Sequence, residues 1–123
     1  MKKVILDTNF ILTCVKQKID FFEDIKFMGM QILIPKQVIR ELESISNSKK
    51  KNHIRENAKL TLKLLEKNSF KKIDLKNKNV DKALIKIAKE DLELIIATLD
   101  RELKKKIKNQ KLVIRGKKKL EVV

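Results

Sequence analysis

Val4-Ile5-Leu6-Asp7-Thr8-Asn9-Phe10 carries three apolar residues, an acid, two polar residues and the start of a second apolar run. Lys3–Leu6 reads as a short buried strand, and Phe10–Lys16 has helical spacing. Asp7 therefore falls at the carboxyl end of a first strand, just before a helix.

The same alternation continues outward from this stretch. Phe21–Met28 is a second helical piece, and Gln31–Ile34 a strand stopped by Pro35. Lys36–Ser46 is predicted as a helix, with Val38, Ile39, Leu42 and Ile45 on one face, and His53–Lys67 as another. Phe70–Leu75 is a short strand, Val80–Lys89 a helix, and Leu92–Thr98 a strand rich in Leu and Ile. Arg101–Lys108 is a helix, Lys111–Arg115 a strand, and Leu120–Val123 a candidate terminal one. Strands alternating with helices imply an α/β fold: a three-layer sandwich around a mainly parallel sheet of four or five strands. In such sheets ligands bind beyond the carboxyl ends of the strands, where the connections change direction.

The chain has 123 residues, the size of one domain, and 1–123 is read as a single unit. No apolar run approaches the roughly 18 residues of a membrane span. The acid at position 7 interrupts the N-terminal run before it resembles a secretion signal, so a cytoplasmic protein with no membrane partner is expected. Cys14 is the sole cysteine, which excludes an intramolecular disulfide and a cysteine-based zinc site; its apolar surroundings predict a buried small hydrophobe. His53 is the sole histidine and follows Lys49-Lys50-Lys51, so two-histidine chemistry is excluded. Glycine-rich phosphate loops and a GxSxG nucleophile elbow are absent as well.

The net charge is +15, from 31 basic and 16 acidic residues. A field of that sign favours polyanions, nucleic acid before an acidic membrane. Because nearly all the basic residues are lysine, a genome or habitat bias is the competing explanation.

Against this background four acids matter. Asp7 and Asp100 each follow a predicted strand; a turn and a helix N-cap are their ordinary explanations. Asp81 lies three, four and seven residues before Leu84, Ile85 and Ala88, on the apolar face of its helix. Glu41 and Glu43 border the Val38–Leu42–Ile45 stripe on either side, and spacing does not choose between them. Carboxylates gathered in one cleft repel each other unless a cation sits among them, and hard divalent ions prefer oxygen ligands. Such a cluster in a basic protein suits metal-assisted phosphodiester hydrolysis.

These residues resemble the PIN domain family. Val4–Phe10 looks like its opening block, with Asp-Thr-Asn after a hydrophobic strand. Ile34-Pro35-Lys36-Gln37-Val38-Ile39-Arg40-Glu41-Leu42 resembles the second block and selects Glu41 over Glu43. Val80-Asp81-Lys82-Ala83-Leu84 resembles the third, and Ile96-Ala97-Thr98-Leu99-Asp100-Arg101-Glu102-Leu103 the fourth. Within the family the blocks look most like those of the small archaeal PIN proteins, related to VapC toxins and to an rRNA-processing nuclease. The resemblance implies cleavage of RNA with Mg²⁺ or Mn²⁺. Asp7, Glu41, Asp81 and Asp100 would be the catalytic, metal-holding acids. Thr8 or Asn9, together with Thr98, would orient them by hydrogen bonds, and Glu102 is a candidate outer ligand. Leu99 replaces the asparagine usual in the family, and Lys82 a common second aspartate.

Between Arg101 and Lys119 ten basic residues face a single acid, Glu102. Arg101, Lys104, Lys105 and Lys108 are accordingly expected to bind RNA, chiefly through its phosphates. All five aromatic residues are Phe, so base stacking is not the expected source of affinity. A metal-dependent endoribonuclease is the leading expectation, with rRNA processing on a ribosomal precursor particle as one setting for it. A toxin restrained by an antitoxin and a non-catalytic RNA-binding module are its rivals, and a homodimer is among the expected assemblies.

Overall fold

A computed structural model describes residues 1–123. The chain runs β1 (Lys2–Leu6), α1 (Thr8–Lys16), α2 (Phe21–Phe27), β2 (Met30–Pro35), α3 (Lys36–Ser46) and α4 (Asn52–Lys67). It continues with β3 (Lys71–Ile73), α5 (Val80–Glu90), β4 (Ile95–Ala97), α6 (Arg101–Lys106), β5 (Lys111–Arg115) and β6 (Lys119–Val122). The strands form one sheet in the order β3-β2-β1-β4-β5-β6. All neighbours pair in parallel except β5 and β6, which form an antiparallel hairpin closed by Gly116 at φ +58°.

Side chains on the central strands alternate between two cores, as a period of two requires. Val4, Leu6, Ile32, Ile34, Ile95 and Ala97 face a layer built from α1 to α4, where Phe10, Phe21, Ile25, Val38 and Leu42 are buried. Ile5, Leu33 and Ile96 face the opposite way, onto Leu84 and Ala88 of α5 and Leu103 of α6. This is the three-layer α/β arrangement expected from the strand–helix alternation. Cys14 is fully buried among the first set, and burial pushes its thiol up to about 12.

Three boundaries differ from those expected. The sheet has six strands rather than four or five, because Lys119–Val122 folds back on β5 and adds an edge. The Leu92–Thr98 stretch contributes only Ile95–Ala97 to the sheet. Its first residues form a turn: Asp91 Oδ1 accepts from the Glu93 N–H, and the buried Asn109 side chain donates to the carbonyls of Asp91 and Leu94. Helix α6 stops at Lys106, because Ile107 turns extended (φ −124°, ψ 148°) and is buried against α5 and the sheet. Lys108 thus lies beyond the helix.

The topology sets the site. From β1 the chain steps through β2 to β3, then crosses through α5 to β4 on the other side of β1. The direction of winding reverses between β1 and β4, and the crevice beyond their carboxyl ends lies at that reversal. Leu84 is fully buried where α5 meets Ile5, Leu33 and Ile96. Leu84→Ala is expected to destabilise the protein by about 2–5 kcal/mol, measured by urea unfolding. A loss below about 1 kcal/mol would mean that this contact does not anchor α5.

Candidate active site

Leu6 pairs with Ala97, so the residues that follow, Asp7 and Thr98, leave the sheet side by side. The Asp7 N–H donates to the Ala97 carbonyl at 3.0 Å and continues the pairing by one bond. The Thr98 hydroxyl, fully buried, donates to Asp7 Oδ2 at 3.0 Å. The same Thr98 oxygen accepts from the Asp100 N–H at 3.2 Å. One buried hydroxyl therefore aligns two of the acids.

The other acids arrive on helices. Pro35 ends β2 and precedes α3 directly, with φ −63° and ψ 140°. Glu41, two turns into α3, accepts at Oε2 from the Thr8 hydroxyl at 3.2 Å. Glu43 takes no part in the site, which resolves the ambiguity of the apolar stripe. Asp81 lies in the first turn of α5, whose start is set by Asn79 accepting from the Lys82 N–H at 3.0 Å. Its carboxylate accepts no hydrogen bond.

Asp7, Glu41, Asp81 and Asp100 line one open cleft of about 350 Å³, together with Thr8, Asn9, Lys78, Asn79 and Val80. Two of the acids also have the ordinary roles their positions suggest. Asp7 Oδ1 accepts from the Thr8 N–H at 2.8 Å and caps α1; Asp100 Oδ1 accepts from the Glu102 and Leu103 N–H groups and caps α6. As the side chains stand, no three acidic, histidine or cysteine residues are drawn into one coordination set. The donors nevertheless suit a hard cation: carboxylate oxygens alone, each with lone pairs beyond those their hydrogen bonds use.

None of the four acids forms a salt bridge, although the chain carries 31 basic residues. Asp7 shows the consequence. Burial raises its pKa above the ordinary carboxylate value. The hydrogen bonds from Thr98 and Thr8 oppose that rise, and the charges of Asp81 and Asp100 add to it.

The remaining candidates divide. Glu102 does not line the cleft; its carboxylate is 3.7 Å from Lys105, and only its backbone N–H serves Asp100. Leu99 faces a neighbouring groove of about 880 Å³ with Asn9, Leu12, His53 and Asp100, so it puts no apolar group among the acids. Lys82 is likewise absent from the cleft lining. Arg101, Lys104, Lys105 and Lys108 follow Asp100 without lining the cleft. Lys78 and Asn79 do line it, and sequence reasoning had not singled them out. Asparagine just before a helix that opens on Asp81 was the available signal.

The family model described as PIN like domain matches residues 4–118. The chain belongs to the PIN-like domain family. It is 31% identical to ribonuclease VapC4 of Methanocaldococcus jannaschii, over 99% of this chain and 97% of that protein. Its fold is similar to the structure of the PIN domain endonuclease Utp24, with a TM-score of 0.76 and 25% identity over 98% of this chain and 90% of that one. It also shares its fold with the structure of VapBC2 from Rickettsia felis bound to a promoter DNA fragment, with a TM-score of 0.53 and 13% identity over 89% and 98% of the two chains.

The raised pKa of Asp7 makes stability depend on pH. Between the unfolded and the folded value, the folded chain holds a proton that the unfolded chain has released. The stabilisation is complete below the unfolded value, about 4, and is lost as pH rises through the folded one. Asp7→Asn carries no charge and escapes that loss. In EDTA, the melting temperature of the variant minus that of the unaltered protein should grow from about pH 3 to about pH 7. A constant or shrinking difference would contradict the electrostatic account.

Proposed function

We propose that this protein is a divalent-metal-dependent endoribonuclease whose acids are Asp7, Glu41, Asp81 and Asp100. The observation that carries the reading is their meeting in one cleft without any ion pair, at the switch point of the sheet. Membership of the PIN-like family and the ribonuclease and endonuclease relatives support the reaction class.

Mg²⁺ or Mn²⁺ bound at these carboxylates would offset the charge developing on phosphate oxygens and make water acidic enough to supply a nucleophile. The chain itself supplies orientation. Thr98 holds Asp7 and the backbone of Asp100, Thr8 holds Glu41, and the amides at the start of α6 hold Asp100. Asn9 stands exposed at the rim shared with the neighbouring groove, placed to meet the substrate. Arg101, Lys104, Lys105 and Lys108 attract the RNA strand from the α6 side. RNA as substrate is what supports a cytoplasmic location.

A second reading concerns the setting. Likeness to a VapC ribonuclease along nearly the whole of both chains supports a toxin restrained by an antitoxin. The chemistry is the same in either setting.

In Mn²⁺, the protein is expected to cut a single-stranded RNA internally, and EDTA to stop it. Asp7→Asn should lower the rate at least about a hundredfold, and Thr98→Val about ten- to a hundredfold, as loss of a ligand's supporting hydrogen bond does. Both variants should keep the circular dichroism of the folded protein. Undiminished cleavage by Asp7→Asn would remove the basis of the proposal.

A further inference from the structure

A second groove, about 490 Å³, adjoins the acid cleft and shares Glu41, Lys78 and Val80 with it. It lies between the first turns of α3 and the segment 74–79 that leads into α5. Lys36, Arg40, Lys76 and Lys78 line it. Beyond Glu41, Asp74 is its one acid, and that charge is already used. Asp74 Oδ2 pairs with Lys36 at 2.9 Å; Oδ1 accepts from the Gln37 side chain at 2.7 Å and from the Lys76 N–H at 2.8 Å. These partners hold the Asp74 carboxyl well below the usual carboxylate range, with the Lys36 contact the largest cause. Gln37 Oε1 also accepts from the Leu75 N–H at 3.2 Å, so the segment is tied to α3 on both sides of the side-chain amide.

This arrangement leaves Arg40, Lys76 and Lys78 exposed around a braced groove, their side chains with neither an ion pair nor a hydrogen bond. On α6, Lys105 is within 3.7 Å of Glu102, and Arg101, Lys104 and Lys106, though unpaired, line neither this groove nor the acid cleft. Three like charges held near each other, opening directly onto a cleft of acids, are complementary to a chain of anions that reaches the cleft at one point. Resting on the nuclease reading, we infer that this groove holds the phosphodiester backbone of the RNA strand beside the scissile bond. Arg40, Lys76 and Lys78 contact successive phosphates, and Lys36 with Asp74 and Gln37 fixes the groove wall. Positive charge draws the strand in, and the acid cleft takes the phosphate to be cut.

Binding can be read without chemistry, by the fluorescence anisotropy of a labelled 12-nucleotide single-stranded RNA in EDTA. The groove variant is Arg40→Gln/Lys76→Asn/Lys78→Gln; asparagine suits the left-handed backbone of Lys76, φ +57°. The control, Lys3→Gln/Lys67→Gln/Lys89→Gln, removes the same charge at the start of β1 and the ends of α4 and α5, the opposite end of the sheet. The groove variant should raise Kd at least about tenfold and flatten the salt slope by about two, near 0.7 for each phosphate of a single strand that is no longer neutralised. The control should raise Kd less than about threefold, the share of long-range attraction. Arg40→Gln alone should show the same trend in smaller measure. Equal losses from the two triple variants, or an unchanged groove variant, would overturn the inference. Mn²⁺-dependent cleavage by the unaltered protein is assayed in parallel. Its absence would count against the nuclease reading, whatever the binding data showed about the groove.

Discussion

The pairing of β1 with β4, Leu6 beside Ala97, is the constraint on which the site rests. It places Asp7 next to Thr98 at the point where the sheet's winding reverses, and a single buried hydroxyl then aligns Asp7 with the backbone of Asp100. Other elements are arranged around that seam. α3 follows β2 without a loop and brings Glu41 to Thr8, while α5 crosses to the other face and presents Asp81 from its first turn. A shift of one residue between β1 and β4 would turn their core side chains to the wrong faces and separate the acids.

The cleft is an electrostatic exception within its own chain. In a protein of charge +15, four carboxylates share one opening and none has a basic partner. Desolvation and mutual repulsion make the ionised form of Asp7 costly, while hydrogen bonds from Thr98 and Thr8 recover part of that cost. The two hydrophobic cores, one on each face of the sheet, supply the stability that lets such a cluster persist. A cation bound among these carboxylates would offset that repulsion.

Much of this was legible in the sequence. β1 and β2 were evident because residues buried on both faces read as short apolar runs bounded by an acid or a proline. α3 and α5 were evident from their apolar spacing. The shortening of β4 was not, because it depends on Asn109, a residue far along the chain that bonds the turn at Asp91 and Leu94. The early end of α6 comes from Ile107 entering the core in an extended conformation, a tertiary preference that overrides the helical run of lysines. Among the acids, Asp7 and Asp100 could be read from strand ends, whereas Glu41 needed the resemblance, since Glu43 was its equal by spacing. The basic groove was invisible for a different reason. Lys36 and Arg40 meet Lys76 and Lys78 only because Gln37 and Asp74 join two segments 37 residues apart. A count of charge along the chain points instead to the lysines after Asp100.

The central claim is that Asp7, Glu41, Asp81 and Asp100 form a cation site. It is tested most directly by anomalous scattering from crystals soaked in MnCl₂, measured on both sides of the manganese absorption edge. A manganese peak is expected in the cleft, within coordination distance of Asp7 and at least one of the other three carboxylates, and it should be lost in Asp7→Asn crystals. Manganese found only elsewhere on the surface, with the four carboxylates still bonded solely to their local hydroxyls and amides, would contradict it.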